Sequence, residues 1–128
     1  RKISEQQAHL KTLLSACKQA ENAMKMNQAV QLRDEGLILQ NEGKLQEAIN
    51  ALQQAVRLYP AEAENHNALA VACWKGGYLD RAAHHSKTAT KLKPDSRFFV
   101  NLGAALYEMR NFAESIDAFQ SALRLNPH

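Results

Sequence analysis

The stretch NEGKLQEAINALQQAVRLYP, residues 41–60, opens beside a glycine, has the composition of a helix and ends at a proline. Two related stretches follow it, KGGYLDRAAHHSKTATKLKP at residues 75–94 and EMRNFAESIDAFQSALRLNP at residues 108–127. Proline ends a helix because it lacks an amide proton and its ring clashes with the preceding turn. The chain therefore contains three copies of one helical unit, and this repetition determines the fold.

The repeat is confirmed by landmarks that stay in register. Three small residues and one proline recur first after 34 residues and then after 33 residues, which makes coincidence improbable. Small residues at fixed positions are expected where two helices cross closely, since a bulky side chain there would push the backbones apart. The landmarks are Gly36, Ala70 and Gly103; Ala48, Ala82 and Ser115; Ala55, Ala89 and Ala122; and Pro60, Pro94 and Pro127.

Each unit contains two helices. In the second unit, His66, Leu69 and Cys73 fall on one helix face, the glycine pair at residues 76–77 breaks that helix, and a second amphipathic helix runs to Pro94. One helical hairpin cannot bury its apolar face alone, so neighbouring hairpins stack and cover each other. The sequence predicts an all-α fold, an α-solenoid of antiparallel helix pairs.

The pattern resembles the tetratricopeptide repeat, whose signature is W-x2-L-G-x2-Y, then A-x3-F, then A and P. The chain departs from this signature in places: Glu35 stands where leucine is usual, and Ser86 replaces the aromatic residue of the second helix. The resemblance implies a right-handed superhelix. The residues that carry it are Leu32, Gly36, Leu39, Ala48, Leu52, Ala55 and Pro60; His66, Leu69, Ala70, Cys73, Ala82, Ser86, Ala89 and Pro94; and Phe99, Leu102, Gly103, Leu106, Ser115, Phe119, Ala122 and Pro127.

The register divides the chain into four segments. We predict an N-terminal amphipathic helix at residues 1–28 and repeats at residues 29–62, 63–95 and 96–128. In the first segment Ile3, Leu10, Cys17 and Met24 recur every seven residues, with Leu13 and Ala20 at intervening positions, which is a short heptad stripe. Two interpretations stay open: this helix packs on the first hairpin, or it joins two molecules.

The last helix has an apolar side formed by Ala118, Phe119, Ala122 and Leu125, and no polar capping repeat follows it. We expect either that the sequence is a fragment of a longer chain or that another molecule covers this edge. A homo-oligomer could form through this edge or through residues 1–28.

Composition excludes several classes of function. The net charge is +3, which falls short of the basic stripe of a nucleic-acid-binding protein, and no run approaches the ~18 apolar residues of a membrane span. We therefore expect no nucleic acid and no membrane insertion. The compartment stays unknown from the sequence, with the cytoplasm favoured. Cys17 and Cys73 lie far apart among helical residues, so we expect buried or half-buried free thiols.

The sequence contains no group of residues typical of a catalytic, cofactor or metal site. It has no glycine-rich phosphate loop, no paired CxxC and no HExxH, so we expect no enzyme, no cofactor and no metal. His84 and His85 are adjacent, and adjacent residues on a helix point about 100° apart, so they cannot readily hold one ion. We expect both on a solvated outer face.

In proteins of the family that the chain resembles, the first helix of each pair lines the concave side of the superhelix. By this resemblance, a partner-binding groove would contain residues that the signature itself leaves unused. Tryptophan and tyrosine make good anchors for a peptide, asparagine can hydrogen-bond its backbone, and arginine can take a carboxylate. The predicted groove residues are Arg33, Leu37, Asn67, Val71, Trp74, Arg97, Asn101 and Tyr107.

These residues favour a non-catalytic protein–protein interaction scaffold that binds a peptide or helix of a partner in the groove. Three other interpretations stay open: Trp74 packs only on neighbouring helices, the chain is the recognition arm of a larger enzyme such as a protein-modifying glycosyltransferase, or it is a self-assembly module. Some family members grip the C-terminal carboxylate of a chaperone with Lys, Asn and Arg residues. This function is disfavoured, because Leu37 and Ala68 stand where asparagines are expected.

Overall fold

The computed structural model describes residues 2–127, with the side chains described from residue 3, and consists of six α-helices joined by short loops. No strand is present within these residues, which confirms the predicted all-α fold. The helices are α1 (Lys2–Asn41), α2 (Leu45–Leu58), α3 (Ala63–Lys75), α4 (Leu79–Leu92), α5 (Ser96–Glu108) and α6 (Phe112–Leu125).

The helices pack as three successive pairs, α1 with α2, α3 with α4, and α5 with α6, and each pair stacks on the next. The first helices also approach one another, α1 with α3 and α3 with α5, whereas α2, α4 and α6 do not approach one another within the described residues. The array therefore curves, with α1, α3 and α5 on the inner side. This is the predicted solenoid of helix pairs.

The first helix is longer than one repeat requires. It runs for 40 residues without a break, so the predicted boundary between residues 28 and 29 lies inside it. Residues 3–24 are all exposed, and the first fully buried side chain is Ala29. Of the two interpretations left open, packing of the N-terminal segment on the first hairpin is not observed, since residues 3–24 of this unbroken helix are exposed. We call residues 3–28 the arm.

Within each pair, the two helices are joined by a turn that requires one residue in the left-handed backbone conformation. Gly43 and Gly77 occupy this turn in the first two repeats, each with φ of +81°, a conformation that glycine adopts without strain. Arg110 takes the equivalent place in the third repeat, with φ of 64°. The glycines at residues 43 and 77 thus have a backbone cause, and the third repeat makes the same turn at some cost in strain.

The small landmark residues lie at helix crossings, as predicted. A Cβ atom placed on Gly36 would lie 2.7 Å from Cγ of Leu52, which is itself fully buried. Ala55, Ala82 and Ala89 are also buried. The central core is formed by Ile49, Leu52, Ala68, Leu69, Ala72, Cys73, Ala82 and Ala105.

The third repeat differs from its signature at an aromatic pair. The signature predicts Phe99 as the core aromatic, but Phe98 is fully buried, in a cluster with Ala63 and Ala89, while Phe99 is half-buried. Phe98 faces the preceding pair of helices. The repeat signature describes contacts within one repeat only, so it does not predict this burial. The stacking interface between repeats therefore contributes core residues of its own.

The predicted apolar side of α6 is exposed in part, and Ile116 and Leu123 add exposed apolar surface to this helix. Phe119 and Leu125 are exposed, whereas Ala118 packs with Leu102 and Leu106 and Ala122 is buried. Although α1 has 40 residues, neither it nor any other helix among residues 2–127 combines the length and the apolarity that crossing a bilayer requires.

Candidate functional site

Trp74 lies near the end of α3 on the inner side of the array and is 39% exposed. Its ring borders a cavity of about 110 Å³ between α3 and α5, which Val71 and Asn101 also line. Three of the eight predicted groove residues therefore meet at one cavity. The remaining lining residues are Ala70, Ser86 and Ala104.

Ser86 explains why the cavity exists. It lies on α4, and it occupies the place where the repeat signature has an aromatic side chain. A serine fills much less volume than an aromatic ring, so space remains between Trp74 and the second helix. The departure at Ser86 was visible in the sequence, but it predicts weaker local packing there rather than a cavity.

Tyr107 lies at the end of α5, one repeat after Trp74, and is 61% exposed. Its ring meets the ring of Phe112 edge to face, with centroids 5.6 Å apart. Leu37, from the corresponding region of α1, is also exposed. Both aromatic rings of the predicted groove are thus open to solvent, and neither is sealed inside the scaffold.

Asn67 and Asn101 form one hydrogen-bonded pair across the α3–α5 junction. The amide nitrogen of Asn101 donates to the amide oxygen of Asn67 at 2.8 Å. Within residues 2–127, the donor group of Asn67 and the acceptor oxygen of Asn101 have no protein partner. The pair can therefore offer one donor and one acceptor side by side, which suits an extended peptide backbone.

Arg97 is already engaged with two carboxylates of the chain. Its guanidinium donates to Oε1 of Glu64 at 2.6 Å and to Oδ2 of Asp95 at 2.9 Å. The hydrogen bond from this side chain holds the pKa of Asp95 below its usual range, and Asp95 also caps α5 through the Arg97 amide. The guanidinium of Arg97 is therefore already paired with two carboxylates before any ligand arrives.

Arg33 points into the stack of helices rather than into the cavity. Its guanidinium donates to the side-chain oxygen of Asn65 at 3.1 Å, and the amide of fully buried Asn65 donates to the carbonyl of Tyr59 at 3.4 Å. Arg33 thus helps to join α1 to α3. Asn65 is a residue that sequence reasoning missed, since it lies next to the signature face rather than on it.

His85 differs from the predicted solvated pair. His84 is exposed, but His85 is half-buried, with its Nδ1 3.3 Å from Nδ1 of His66. A carbonyl can only accept, so His66 donates from Nε2 to the Pro60 carbonyl at 2.8 Å, and its Nδ1 accepts from His85. Burial, then the charges of His66, His84 and Arg81, lower the pKa of His85 from 6.5 to about 4.

This lowered pKa makes stability depend on pH. The unfolded chain takes up a proton near pH 6.5, while the folded chain does so only near pH 4. We expect a constant free energy of unfolding above pH 7 and a loss of up to about 2 kcal/mol as the pH falls through this window, since the half-exposed site is partly screened by solvent. Urea titrations at several pH values measure the loss.

The matched control is His85→Asn, because the asparagine amide can still donate to His66 but does not titrate. Subtracting the free energy of unfolding of the variant from that of the wild type at each pH removes the contribution of the carboxylates, which both proteins share. Parallel curves for the two proteins from pH 7 to pH 4 would contradict this role of His85.

Neither metal binding nor thiol chemistry finds support in the side-chain arrangement. Among residues 3–127, no group of three or more His, Cys, Asp or Glu side chains is arranged to hold a metal ion. Cys73 is fully buried, and burial raises the pKa of its thiol, which disfavours the reactive thiolate. Cys17 is exposed and unpaired, contrary to the expectation of a buried or half-buried thiol.

A second depression of about 540 Å³ lies on the outer side, between α4, α5 and α6. Its floor includes Leu102 and Leu106, but charged side chains such as Lys87, Lys91 and Glu114 form its walls. It is wide and open, whereas the inner cavity is narrow and lies beside the only tryptophan. The inner cavity is therefore the better candidate for recognition of an apolar side chain.

Comparisons with known proteins agree with this architecture. Residues 33–96 and residues 96–128 match sequence profiles described as tetratricopeptide repeat. A comparison with curated proteins gave no significant match.

Several solved structures are similar to the chain. One is the second tetratricopeptide repeat (TPR) domain of Spaghetti (RPAP3) bound to the HSP90 peptide SRMEEVD, with 24% identity and a TM-score of 0.78 over 82% of this chain and 97% of that chain. The Arabidopsis OM64 TPR domain has 19% identity and a TM-score of 0.76 over 80% and 86%, respectively. The Sgt2 TPR domain from Aspergillus fumigatus has 23% identity and a TM-score of 0.74 over 78% and 67%. At these identities the likeness concerns the fold alone.

Proposed function

Because the chain belongs to the tetratricopeptide repeat family, we propose that it is a non-catalytic protein-interaction scaffold that binds a peptide or helix of a partner on its inner face. The observation that carries this proposal is the half-open ring of Trp74 beside the cavity between α3 and α5. A large ring with few rotors, exposed at the rim of an apolar cavity, is the usual anchor of a binding hot spot.

The cavity and its rim define the chemistry of the occupant. Its volume of about 110 Å³ fits one aliphatic side chain, with Val71 and Ala104 as apolar walls. The Asn67–Asn101 pair can hydrogen-bond the backbone beside that side chain. Tyr107 extends the apolar surface by one repeat. We therefore propose a partner segment with an aliphatic side chain for the cavity and a second apolar residue near Tyr107.

An acidic peptide fits this face less well. Two solved structures similar to this chain are TPR domains of Spaghetti in complex with the HSP90 peptide SRMEEVD. Here Arg97 already binds Glu64 and Asp95, so an additional carboxylate would have to compete with these two for the guanidinium. We propose that the occupant is apolar and that SRMEEVD binds this chain weakly or not at all.

The test is a selection of random displayed peptides against the wild-type chain. Peptides selected in this way should lose binding to the Trp74→Ala, Tyr107→Ala double variant by about 100-fold or more, because truncating an aromatic hot spot typically costs ~2–4 kcal/mol. Circular dichroism should show unchanged helicity in the variant, since both rings are exposed.

The matched control truncates two other exposed apolar residues, Ile116→Ala and Leu123→Ala, on α6. The selected peptides should bind this variant as tightly as they bind the wild type. Equal binding to the Trp74 and Tyr107 double variant, or a larger loss in the α6 variant, would contradict the proposed groove.

A further inference from the structure

We propose that the arms of two copies of this chain pair in parallel as a short two-stranded coiled coil, which would hold two repeat domains at one end. The starting observation is the exposure of the arm: Ile3 is 70% and Leu10 is 62% exposed, and Leu13 and Met24 are exposed too. In proteins most helical stability comes from packing of an apolar face against other elements, and the arm has no such packing within its own chain. Pairing would cover its apolar side.

The arm has the residue pattern that pairing requires. With Ile3, Leu10, Cys17 and Met24 at heptad position a, the d positions hold Gln6, Leu13, Ala20 and Asn27. Within residues 3–28 the flanking e and g positions hold only one acidic or basic residue besides His9, namely Glu21, which already forms an ion pair with Lys25 on its own helix at 3.0 Å. No like charges would face each other across the seam, and the lysines of the arm, Lys11, Lys18 and Lys25, all fall at b, away from it.

The repeat domain leaves this side of the helix free. Ala29 and Gly36, both buried against the following helices, are seven residues apart and fall at heptad position f. Position f lies roughly opposite the a and d seam. The domain of each copy would therefore lie on the outer side of the pair, so the two domains do not collide. The same geometry explains why the stripe does not pack on the first hairpin.

The polar positions decide between parallel and antiparallel pairing. In a parallel pair in register, Gln6 faces Gln6 and Asn27 faces Asn27 of the second copy, so amides meet amides. In the antiparallel pair that overlaps the same residues, Asn27 would face Ile3 and Gln6 would face Met24. That arrangement leaves amides against apolar side chains, which costs free energy. The pattern therefore favours the parallel pair.

The size of the contact sets its expected strength. A helix of 25 residues is about 37 Å long and roughly 10 Å wide, so the face offered is roughly 400 Å² a side. This is about half of the ~800 Å² that each partner buries in a standard interface. We expect a dimer that forms and dissociates with protein concentration, which is why a covalent trap is the appropriate probe.

Cys17 provides that trap. Helix axes ~8–10 Å apart place the two Cα atoms at an a position roughly 4–6 Å apart, within the range of a disulfide. In the antiparallel pair the two Cys17 residues would be offset by four residues, or about 6 Å along the axis, and would lie too far apart. Cys73 is fully buried and does not compete.

The experiment oxidises the 128-residue chain with oxidised glutathione and follows dimers on a non-reducing gel. We expect wild type to become mainly a covalent dimer, whereas a Ser15→Cys, Cys17→Ser variant, with its thiol at position f, forms dimer at least about tenfold more slowly, because a thiol facing away from the seam cannot reach its copy. Equal rates for these two proteins would overturn the proposal.

A second measurement does not depend on thiols. Light scattering under reducing conditions, over a wide range of concentration, should show a monomer–dimer equilibrium for wild type and a weakening of about 100-fold or more for Leu10→Glu, Leu13→Glu. The matched control, Ala8→Glu with Ser15→Glu, adds the same charge at f positions and should dimerise as wild type does. A monomer at every concentration, or equal effects of the two variants, would overturn the proposal. Neither result bears on the groove, which lies on α3 and α5.

Discussion

Phe98→Ala is expected to lower the free energy of unfolding by about 3–5 kcal/mol, the typical cost of removing a fully buried aromatic ring. The ring is enclosed with Ala63 and Ala89, two small residues that cannot move in to fill the space. Because small domains are stable by only ~5–15 kcal/mol, this variant should be partly unfolded at moderate temperature. Thermal and urea unfolding followed by circular dichroism measure the effect.

The neighbouring residue supplies the control. Phe99 is half-buried, so Phe99→Ala should cost only about 1–2 kcal/mol, less than half of the loss at Phe98. The repeat signature alone predicts the reverse order, since it assigns the core position to Phe99. A greater loss at Phe99 than at Phe98 would contradict the packing described for the third repeat.

Ala89→Leu is expected to destabilise the chain by about 1–3 kcal/mol for the opposite reason. Ala89 is fully buried beside Phe98, and three additional carbon atoms have no space there unless side chains or backbones shift. An exposed alanine on the arm, Ala8→Leu, is the matched control and should change stability by less than about 0.5 kcal/mol. The same urea titrations measure both variants.

The two core substitutions should also be coupled. Phe98→Ala opens a cavity at the place where Ala89→Leu adds volume, so the leucine can fill part of it. We expect the double variant to lose less than the sum of the two single losses, by about 0.5–3 kcal/mol. Strict additivity would mean that the two side chains do not share one space.

The period of the repeat could be predicted because backbone geometry restricts which residues can stand at certain positions of each repeat. Gly36 is small because a Cβ atom would meet Leu52, and Gly43 and Gly77 recur because each turn needs a left-handed residue. Such requirements act at fixed positions, so they leave a periodic trace. The helix pairs and the solenoid follow directly from that trace.

Contacts between neighbouring repeats were harder to predict from the sequence. Phe98 and Asn65 are buried by the neighbouring helix pair, so their burial depends on how repeats stack rather than on the period within one repeat. The continuity of α1 was also not predicted from the period of the repeat. The register of the repeat predicted a boundary between residues 28 and 29, but no proline or glycine interrupts the helix between residues 2 and 35.

The candidate site was predictable in part. Trp74, Val71 and Asn101 lie at one cavity because all three stand on the inner side of first helices. Ser86 was recognised as a departure from the signature, but its place at the cavity was not predicted, because a search for chemically active groups does not reveal a side chain that is too small. The pairing of Arg97 with Asp95 was missed because it belongs to a helix cap, whose geometry depends on the local backbone.

The central claim is that a partner segment binds on the inner face beside Trp74. The most direct measurement is a map of backbone amide chemical shifts in the 128-residue chain, recorded while a selected peptide is added. The account predicts that the largest changes fall on α3 and α5, around Val71, Trp74, Asn101 and Ala104, and that the indole N–H of the only tryptophan moves with them. Changes concentrated on α4 and α6 around the outer depression, with the indole signal unmoved, would contradict it.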